Sequence, residues 1–513
     1  MLAALKHRLG GLFVALASIA LALGVVAPTT ALAAGTLTET STGSLTVTNG
    51  TDVVFKDGDV ITLYKVVNTT YDAANNTVSS AWNADVVDTT KTPDFSTKWE
   101  GQTYTSTSAE VNQVVTALKA NAPTAATHTI ANGETSYTFD NLAMGQYLVV
   151  VETGQDASRV FENTIQSVVP VQNGTDYDAP ADQTVALKGT TVTVDKKSDG
   201  KDQVTDKGVG DEVPFTITAP VPNYPKNATD LKFQFADEMA TGLELKGVEN
   251  SGAFVPSDFV VTAGGVAVDA GNYTLTATKA GFTLTFTNDF ILANGGKTVS
   301  ASYKGVITDD AAVSDSATNK VTLEYTHNPN VTDGHSTTDD NVPVVTFGIK
   351  FTKVDGTDTT KGLQGAEFKI YKSEADAKAG QNELGTATSD ADGIVKFDKL
   401  GAGTYYLKET KAPTGYELRE DVITVSVEDA VQSGKVMLSK DQSGKWTVTF
   451  AQGYDGYQAV TLDDSANYVK NVPSSAIKLP TTGGPGTIAL TAGGVVIMAG
   501  AAFYLLHSRK GRE

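Results

Sequence analysis

From residue 35 onward, apolar and polar residues alternate in short runs closed by Gly, Asn or Asp. Leu45-Thr46-Val47, Tyr147 to Val151, Val213 to Thr218, Tyr273 to Thr287 and Val321 to Tyr325 follow this rule. A period of two puts successive side chains on opposite faces of a strand, so the pattern predicts half-buried strands. Helical spacing is confined to short pieces, Ala109 to Asn121 and Ser373 to Ala379. Many short strands with turn residues between them predict an all-β chain of β-sandwiches. A chain of 513 residues is too long for one core, since domains run to roughly 100–150 residues. Boundaries are expected near Thr190, after the polar stretch Asn173 to Asp182, and near Thr346, after the polar run Asn328 to Asp340. The expected architecture is three tandem β-sandwiches over 35–189, 190–345 and 346–475.

The two ends break the alternation. Lys6 and Arg8 precede an apolar run from Leu9 to Ala27, and Ala31-Leu32-Ala33 follows with the small-x-small pattern that signal peptidase accepts. Residues 1–34 are therefore read as a secretory signal peptide, cleaved after Ala33 or Ala34. In the terminal segment 476–513, Leu479-Pro480-Thr481-Thr482-Gly483 precedes an apolar stretch over 487–506, closed by His507, Ser508, Arg509, Lys510, Gly511 and Arg512. About twenty apolar residues span a bilayer and trailing cations stay on the cytoplasmic side. A transmembrane segment is thus expected over 487–506.

The formal charge of the whole chain is -20, and without Lys6, Arg8, Arg509, Lys510, Arg512 and Glu513, 34 basic residues face 58 acidic ones, a balance of -24. That surplus disfavours nucleic acid and anionic lipid as partners. With no cysteine in the sequence, disulfides, thiolate catalysis and Cys-ligated metals are excluded. The five histidines, His7, His128, His327, His335 and His507, show no metal-ligand spacing, and no nucleophile elbow or phosphate loop occurs. Asp390-Ala391-Asp392-Gly393 lacks the other ligands of a calcium loop and reads as a hairpin turn. Neither metal nor cofactor is expected, and the chain does not read as an enzyme.

Two lysines sit where strand alternation wants an apolar residue: Lys196 after Val192 and Val194, and Lys353 after Ile349 and Phe351. An inward lysine is costly unless it pairs or reacts. Burial favours the neutral, nucleophilic amine and equally favours a protonated carboxylic acid. Such an acid can polarise a side-chain amide carbonyl, so that the amine displaces ammonia and leaves a Lys–Asn isopeptide. Lys197 is the alternative to Lys196, although its parity puts it on the outer face.

The stretch Phe351-Thr352-Lys353-Val354-Asp355, with Leu363 to Tyr371, Asp392 to Phe397 and Leu400 to Tyr416 including Glu409, Ala412 and Pro413, resembles the B-type immunoglobulin-like module of collagen adhesins and pilins. Tyr137 to Leu148 is a fainter echo of it. The second unit, with Val209 to Ile217, Phe235 to Leu243 and Asn319 to Tyr325, is similar to the A-type module of backbone pilins. Residues 479–483, with the apolar stretch and basic tail behind them, resemble the LPxTG cell-wall sorting signal of Gram-positive bacteria. The whole resembles the backbone subunit of a sortase-assembled pilus.

The resemblance implies that a sortase cuts between Thr482 and Gly483 and passes the Thr482 carbonyl to an amine. It implies isopeptide triads of Lys196, Asp237 and Asn319, and of Lys353, Glu409 and Asn471, with Lys-to-Asn separations of 123 and 118 residues. Closing loops of that length stabilises by about 5 kcal/mol on the chain-entropy argument. With no lysine in Ser44 to Asn49, no such bond is expected in the first unit. The lysine that accepts the next subunit is expected at Lys188, at the end of the first unit, with Lys226 in Tyr224-Pro225-Lys226-Asn227 as the alternative. Implied partners are a class C-type pilus sortase and a housekeeping sortase, identical subunits head to tail, minor tip and basal pilins, peptidoglycan and a host receptor. The implied location is the cell wall and pilus surface. The alternative is a monomeric wall-anchored adhesin or a minor pilin.

Overall fold

The computed structural model describes residues 36–474 apart from 94–107, 155–156, 225–227, 229, 249–258, 312, 314–315, 330–333, 441–445 and 461–466. The strands gather into three sandwiches in chain order, each around its own core. In the first, Thr42–Thr48 lies between Gln183–Ala186 and Ser136–Ala143. That sheet faces a second one of Thr77–Trp82, Val60–Asp72, Gly145–Glu152 and Thr164–Val168. Leu45, Val47, Ile61, Leu63, Phe139 and Val149 fill the space between them. The outer face of the larger sheet is apolar too, and helix Ser108–Ala117 covers it with Val111 and Val114 against Val66 and Leu148. This is the helical piece expected over Ala109 to Asn121.

The second sandwich packs a sheet running Asp195–Lys197, Glu212–Pro220, Thr298–Ile307 and Val260–Ala263 against one running Tyr273–Thr278, Gly281–Phe286, Phe233–Met239, Ser316–Thr326 and His335–Val345. The expected strand Tyr273 to Thr287 is a hairpin, folded back at Lys279 and Ala280. The polar run Asn328 to Asp340 contributes to an edge strand, His335–Val345, which pairs over its whole length with Ser316–Thr326. An edge strand with one solvated face reads as polar as a linker does.

The third sandwich sets Ile394–Leu400, Phe347–Asp355, Tyr457–Ala459 and Tyr468–Asn471 against Gly385–Thr388, Glu367–Tyr371, Gly403–Lys411 and Ile423–Val427. Helix Glu374–Ala379 begins where the Ser373 hydroxyl accepts the Asp376 N–H at 3.1 Å and ends at left-handed Gly380. A separate hairpin, Val436–Lys440 with Trp446–Phe450, leaves this sandwich and leans on the second.

The expected transmembrane segment is corrected: among the described residues no helix is long and apolar enough to cross a membrane. The stretch 487–506 itself lies outside the described residues, as do Ala33, Ala34 and the motif Leu479, Pro480, Thr481, Thr482 and Gly483.

Candidate functional site

Alternation along residues 192–196 buries Val192, Val194 and Lys196, the lysine at 1% exposure. Lys197, the alternative, is outward and pairs with Asp195 at 3.4 Å. The short strand Asp195–Lys197 is fixed by Glu212–Pro220, with Lys196 opposite Ile217. In the facing sheet, Phe233–Met239 and Ser316–Thr326 are neighbours in a register that sets Met239 against Asn319 and Asp237 against Val321. Asp237 and Asn319 therefore meet Lys196 across the core, at 3% and 0% exposure. Asn319 lies on the penultimate strand of this sandwich, with His335–Val345 after it.

The Lys196 ammonium position touches Asp237 Oδ2, and lies 2.5 Å from the Tyr303 hydroxyl. That hydroxyl donates to Asp237 Oδ2 at 2.5 Å and accepts from Asn319 Nδ2 at 3.1 Å. Among the described residues, Asp237 Oδ1 and Asn319 Oδ1 have no hydrogen-bond partner. Burial pushes the Lys196 amine below its ordinary value and the Asp237 carboxyl above its own, against the mutual attraction of the two. Both shifts favour the neutral pair, amine and acid, that amide displacement requires.

A second buried set occupies the third sandwich. Lys353, Glu409 and Asn471 are 0%, 1% and 2% exposed. Phe347–Asp355 and Tyr468–Asn471 run parallel, Lys353 beside Val469 and Asp355 beside Asn471, so the lysine and the asparagine share the inner face. Lys353 Nζ donates to the Val469 carbonyl at 3.0 Å. Asn471 Nδ2 reaches both Glu409 oxygens at 2.9 Å, and the Arg419 N–H donates to Oε2 at 2.7 Å. Burial lowers the Lys353 amine to about 8 and raises the Glu409 carboxyl. The acid thus touches the nitrogen that would leave as ammonia, and Asn471 Oδ1 has no hydrogen-bond partner among the described residues.

Lys188 is exposed between Gln183–Ala186 and Gly189–Thr191. Its backbone is held on both sides, the Leu187 N–H on the Thr48 carbonyl at 3.0 Å and the Lys188 carbonyl on the Glu162 N–H at 2.8 Å. A Cβ at Gly189 would stand 2.5 Å from the Val160 carbonyl oxygen, so only glycine allows that approach. Lys226 lies outside the described residues, with Pro225 and Asn227; ahead of them Asn223 Nδ2 donates to Glu162 Oε1 at 2.7 Å, and the buried Tyr224 hydroxyl donates to the Thr326 carbonyl at 2.6 Å. The two candidate acceptor segments, apart in sequence, meet at Glu162 beside a cleft of about 220 Å³.

Sequence reasoning missed three groups. Tyr303 joins the middle set, yet reads as an ordinary core aromatic of an alternating strand. Asp340 Oδ2 accepts the backbone N–H of Lys196 at 2.8 Å, while its Oδ1 accepts from Lys440 of the leaning hairpin at 2.6 Å. The first sandwich has a buried ion pair, Arg159 gripping Asp59 with both terminal nitrogens, and Asp59 further accepts the Lys56 and Gly154 N–H groups at 2.9 and 3.0 Å. The hundred residues between the partners left no sequence signal for that pair.

Residues 347–442 match the SpaA family described as a prealbumin-like fold domain, and 471–511 match the LPXTG cell wall anchor motif. The chain is similar to fimbrial subunit type 2 of Actinomyces naeslundii, 29% identical over 320 residues, 56% of this chain and 55% of that one. It is also similar to the trypsin-resistant surface T6 protein of Streptococcus pyogenes serotype M6, 25% identical over 298 residues, 51% and 52% of the two chains. The chain thus spans about half the length of these curated relatives. The solved T6 backbone pilin of serotype M6 Streptococcus pyogenes superposes with a TM-score of 0.53 at 18% identity, covering 85% of this chain and all of that one, a likeness of fold.

Proposed function

We propose that this chain is the structural backbone subunit of a sortase-assembled pilus on the wall of a Gram-positive bacterium. Thr482 of one copy is joined to Lys188 of the next, and two of the three sandwiches are hardened by autocatalytic Lys–Asn bonds. The anchor match at 471–511 and the fimbrial relatives support a wall-anchored pilus subunit. The observation that carries the finer reading is a repeated one: two sandwiches each bury a lysine, an acid and an asparagine together. Burial of an unreacted, charged lysine disfavours the fold, whereas the Lys–Asn amide that replaces it is neutral, and the acid left beside it is held in its protonated form by burial.

The proposed units are 35–189, 190–345 and 346–475. The polymerising enzyme is a class C-type pilus sortase, and a housekeeping sortase transfers the finished fibre to peptidoglycan. Minor pilins at tip and base and a host receptor complete the set of partners. Lys188 is preferred over Lys226 because it is exposed, sits on a backbone fixed on both sides and closes the first sandwich. Immunoblots of wall extracts boiled in detergent test the reading. A ladder of high-mass species in the wild type, lost in Lys188→Ala and kept in Lys226→Ala, is the expected result. Loss only in Lys226→Ala moves the acceptor to the other segment. A single monomer-sized band in the wild type replaces the pilus backbone with a wall-anchored adhesin.

A further inference from the structure

We infer that Tyr303 is the proton relay of the middle cross-link, taking a proton from Lys196 Nζ and delivering one to Asn319 Nδ2 as ammonia leaves. The inference rests on the Lys196–Asn319 bond proposed above and adds to it the group that moves the proton.

Amide displacement has a fixed balance. The C–N bond from Lys196 Nζ to Asn319 Cγ forms, and the bond from Cγ to Nδ2 breaks. The attacking nitrogen must lose a proton, and the departing nitrogen must gain one to leave as ammonia. No oxidant, reductant or second reactant is needed. A group placed between the two nitrogens, able to accept and donate at one atom, can carry that proton in a single exchange.

Tyr303 Oη occupies that place. It lies 2.5 Å from Lys196 Nζ and 3.1 Å from Asn319 Nδ2, and its own hydrogen bond to Asp237 Oδ2 is 2.5 Å. The ring is clamped among Phe215, Phe259 and Phe282, with centroids 4.9 to 5.9 Å away, so the hydroxyl has little freedom to leave. Burial and the neighbouring Asp237 hold the phenol well above its ordinary value, so it remains protonated and able to donate. Asp237 Oδ2 touches the attacking nitrogen too, but Asn319 Nδ2 donates to the Tyr303 hydroxyl and not to Asp237, so the acid reaches only one of the two nitrogens.

The third sandwich supplies the contrast. There the acid is the longer Glu409, and both its oxygens already touch the Asn471 amide nitrogen. An acid that reaches the leaving nitrogen by itself needs no intermediary. The shorter Asp237 stops one methylene back, and the tyrosine hydroxyl spans the remaining gap.

One molecule therefore contains both the test and its control. Tyr303→Phe removes a single oxygen and keeps the ring. The full chain, made by cell-free synthesis and sampled at intervals by intact mass and peptide mapping, reports each bond through its loss of ammonia. Expected in Tyr303→Phe is a complete Lys353–Asn471 bond and a Lys196–Asn319 bond that forms about a hundredfold more slowly than in the wild type. Equal rates in the two proteins overturn the relay. A wild type that never loses ammonia at Lys196–Asn319 overturns the cross-link itself, which is a different failure. Melting of Tyr303→Phe/Asn319→Ala against Asn319→Ala separates packing from chemistry. Equal melting with a slowed bond is the expected outcome, and a marked drop would assign Tyr303 a packing role instead.

Discussion

The side-chain nitrogen of Asn471 lies 2.9 Å from each carboxylate oxygen of Glu409, and both residues are buried. Asn471→Ala removes the electrophile and leaves the third sandwich untethered. Its chain should lose one fewer ammonia than the wild type. A loop of 118 residues is then released, worth about 5 kcal/mol, which corresponds to a fall of ~20 °C in the melting of that sandwich. Intact mass and scanning calorimetry on the same preparation check both halves. An Asn471→Ala protein that loses as much ammonia from its own sequence mass as the wild type, and melts with it, would mean that no bond forms there.

Without its bond, the same sandwich should become pH-dependent in a direction set by Lys353. Burial lowers this amine from 10.5 to about 8 in the folded protein. Between those values the unfolded chain binds more protons than the folded one, so stability rises with pH from about 8 to 10.5. Below 8 the gain is absent, because the buried amine is charged in both states. Thermal melting of Asn471→Ala should climb over that window, and the climb should vanish in Lys353→Met/Asn471→Ala.

The Asp59–Arg159 pair braces the sandwich in which no cross-link is expected. Asp59→Ala takes the carboxylate from a buried guanidinium that keeps its bond to the Val54 carbonyl, and should cost the first sandwich about 3 kcal/mol. Urea unfolding followed by limited proteolysis of residues 36–187 measures the loss. The ammonia lost from the other two sandwiches should be unchanged. A neutral result would assign the fastening of this unit to its apolar core alone.

The hairpin Val436–Phe450 ties the second and third sandwiches through Lys440 to Asp340 and through the Trp446 N–H to the Asn341 carbonyl at 3.0 Å. Lys440→Met/Trp446→Phe should weaken that coupling while leaving the contacts of Thr205 with Asp429 and of Lys372 with Asp211, so that the two sandwiches melt further apart in a calorimetric trace. An unchanged trace would show that the contact contributes nothing to their cooperation.

Alternation alone was enough to mark Lys196 and Lys353 as inward, because a residue two places from a core valine or phenylalanine has little choice of face. Strand existence was legible for the same reason. The course of the chain between sheets was not: Tyr273 to Thr287 reads as one strand because Thr278, Lys279 and Ala280 carry no strong turn signal, and His335 to Asp340 reads as linker because its edge position makes it polar. Tyr303 was hidden by its type, since a tyrosine amid Val299, Ala301 and Ile307 is indistinguishable from packing until its hydroxyl is seen between two nitrogens. Lys440 was hidden by distance, a surface lysine whose partner belongs to another sandwich.

Each proposed bond is sealed inside a core, every participant at 3% exposure or less. A disulfide can form early, break and be exchanged until the right partners meet; this chemistry has no return path once ammonia has left. It also cannot begin until the sheets have closed and expelled water, because a wet amine stays protonated and a wet acid ionised. Ammonia release is thus a one-way certificate of correct folding, issued copy by copy. A subunit that misfolds remains uncertified and can still be unravelled and destroyed, whereas one that has passed is committed before it meets its neighbours.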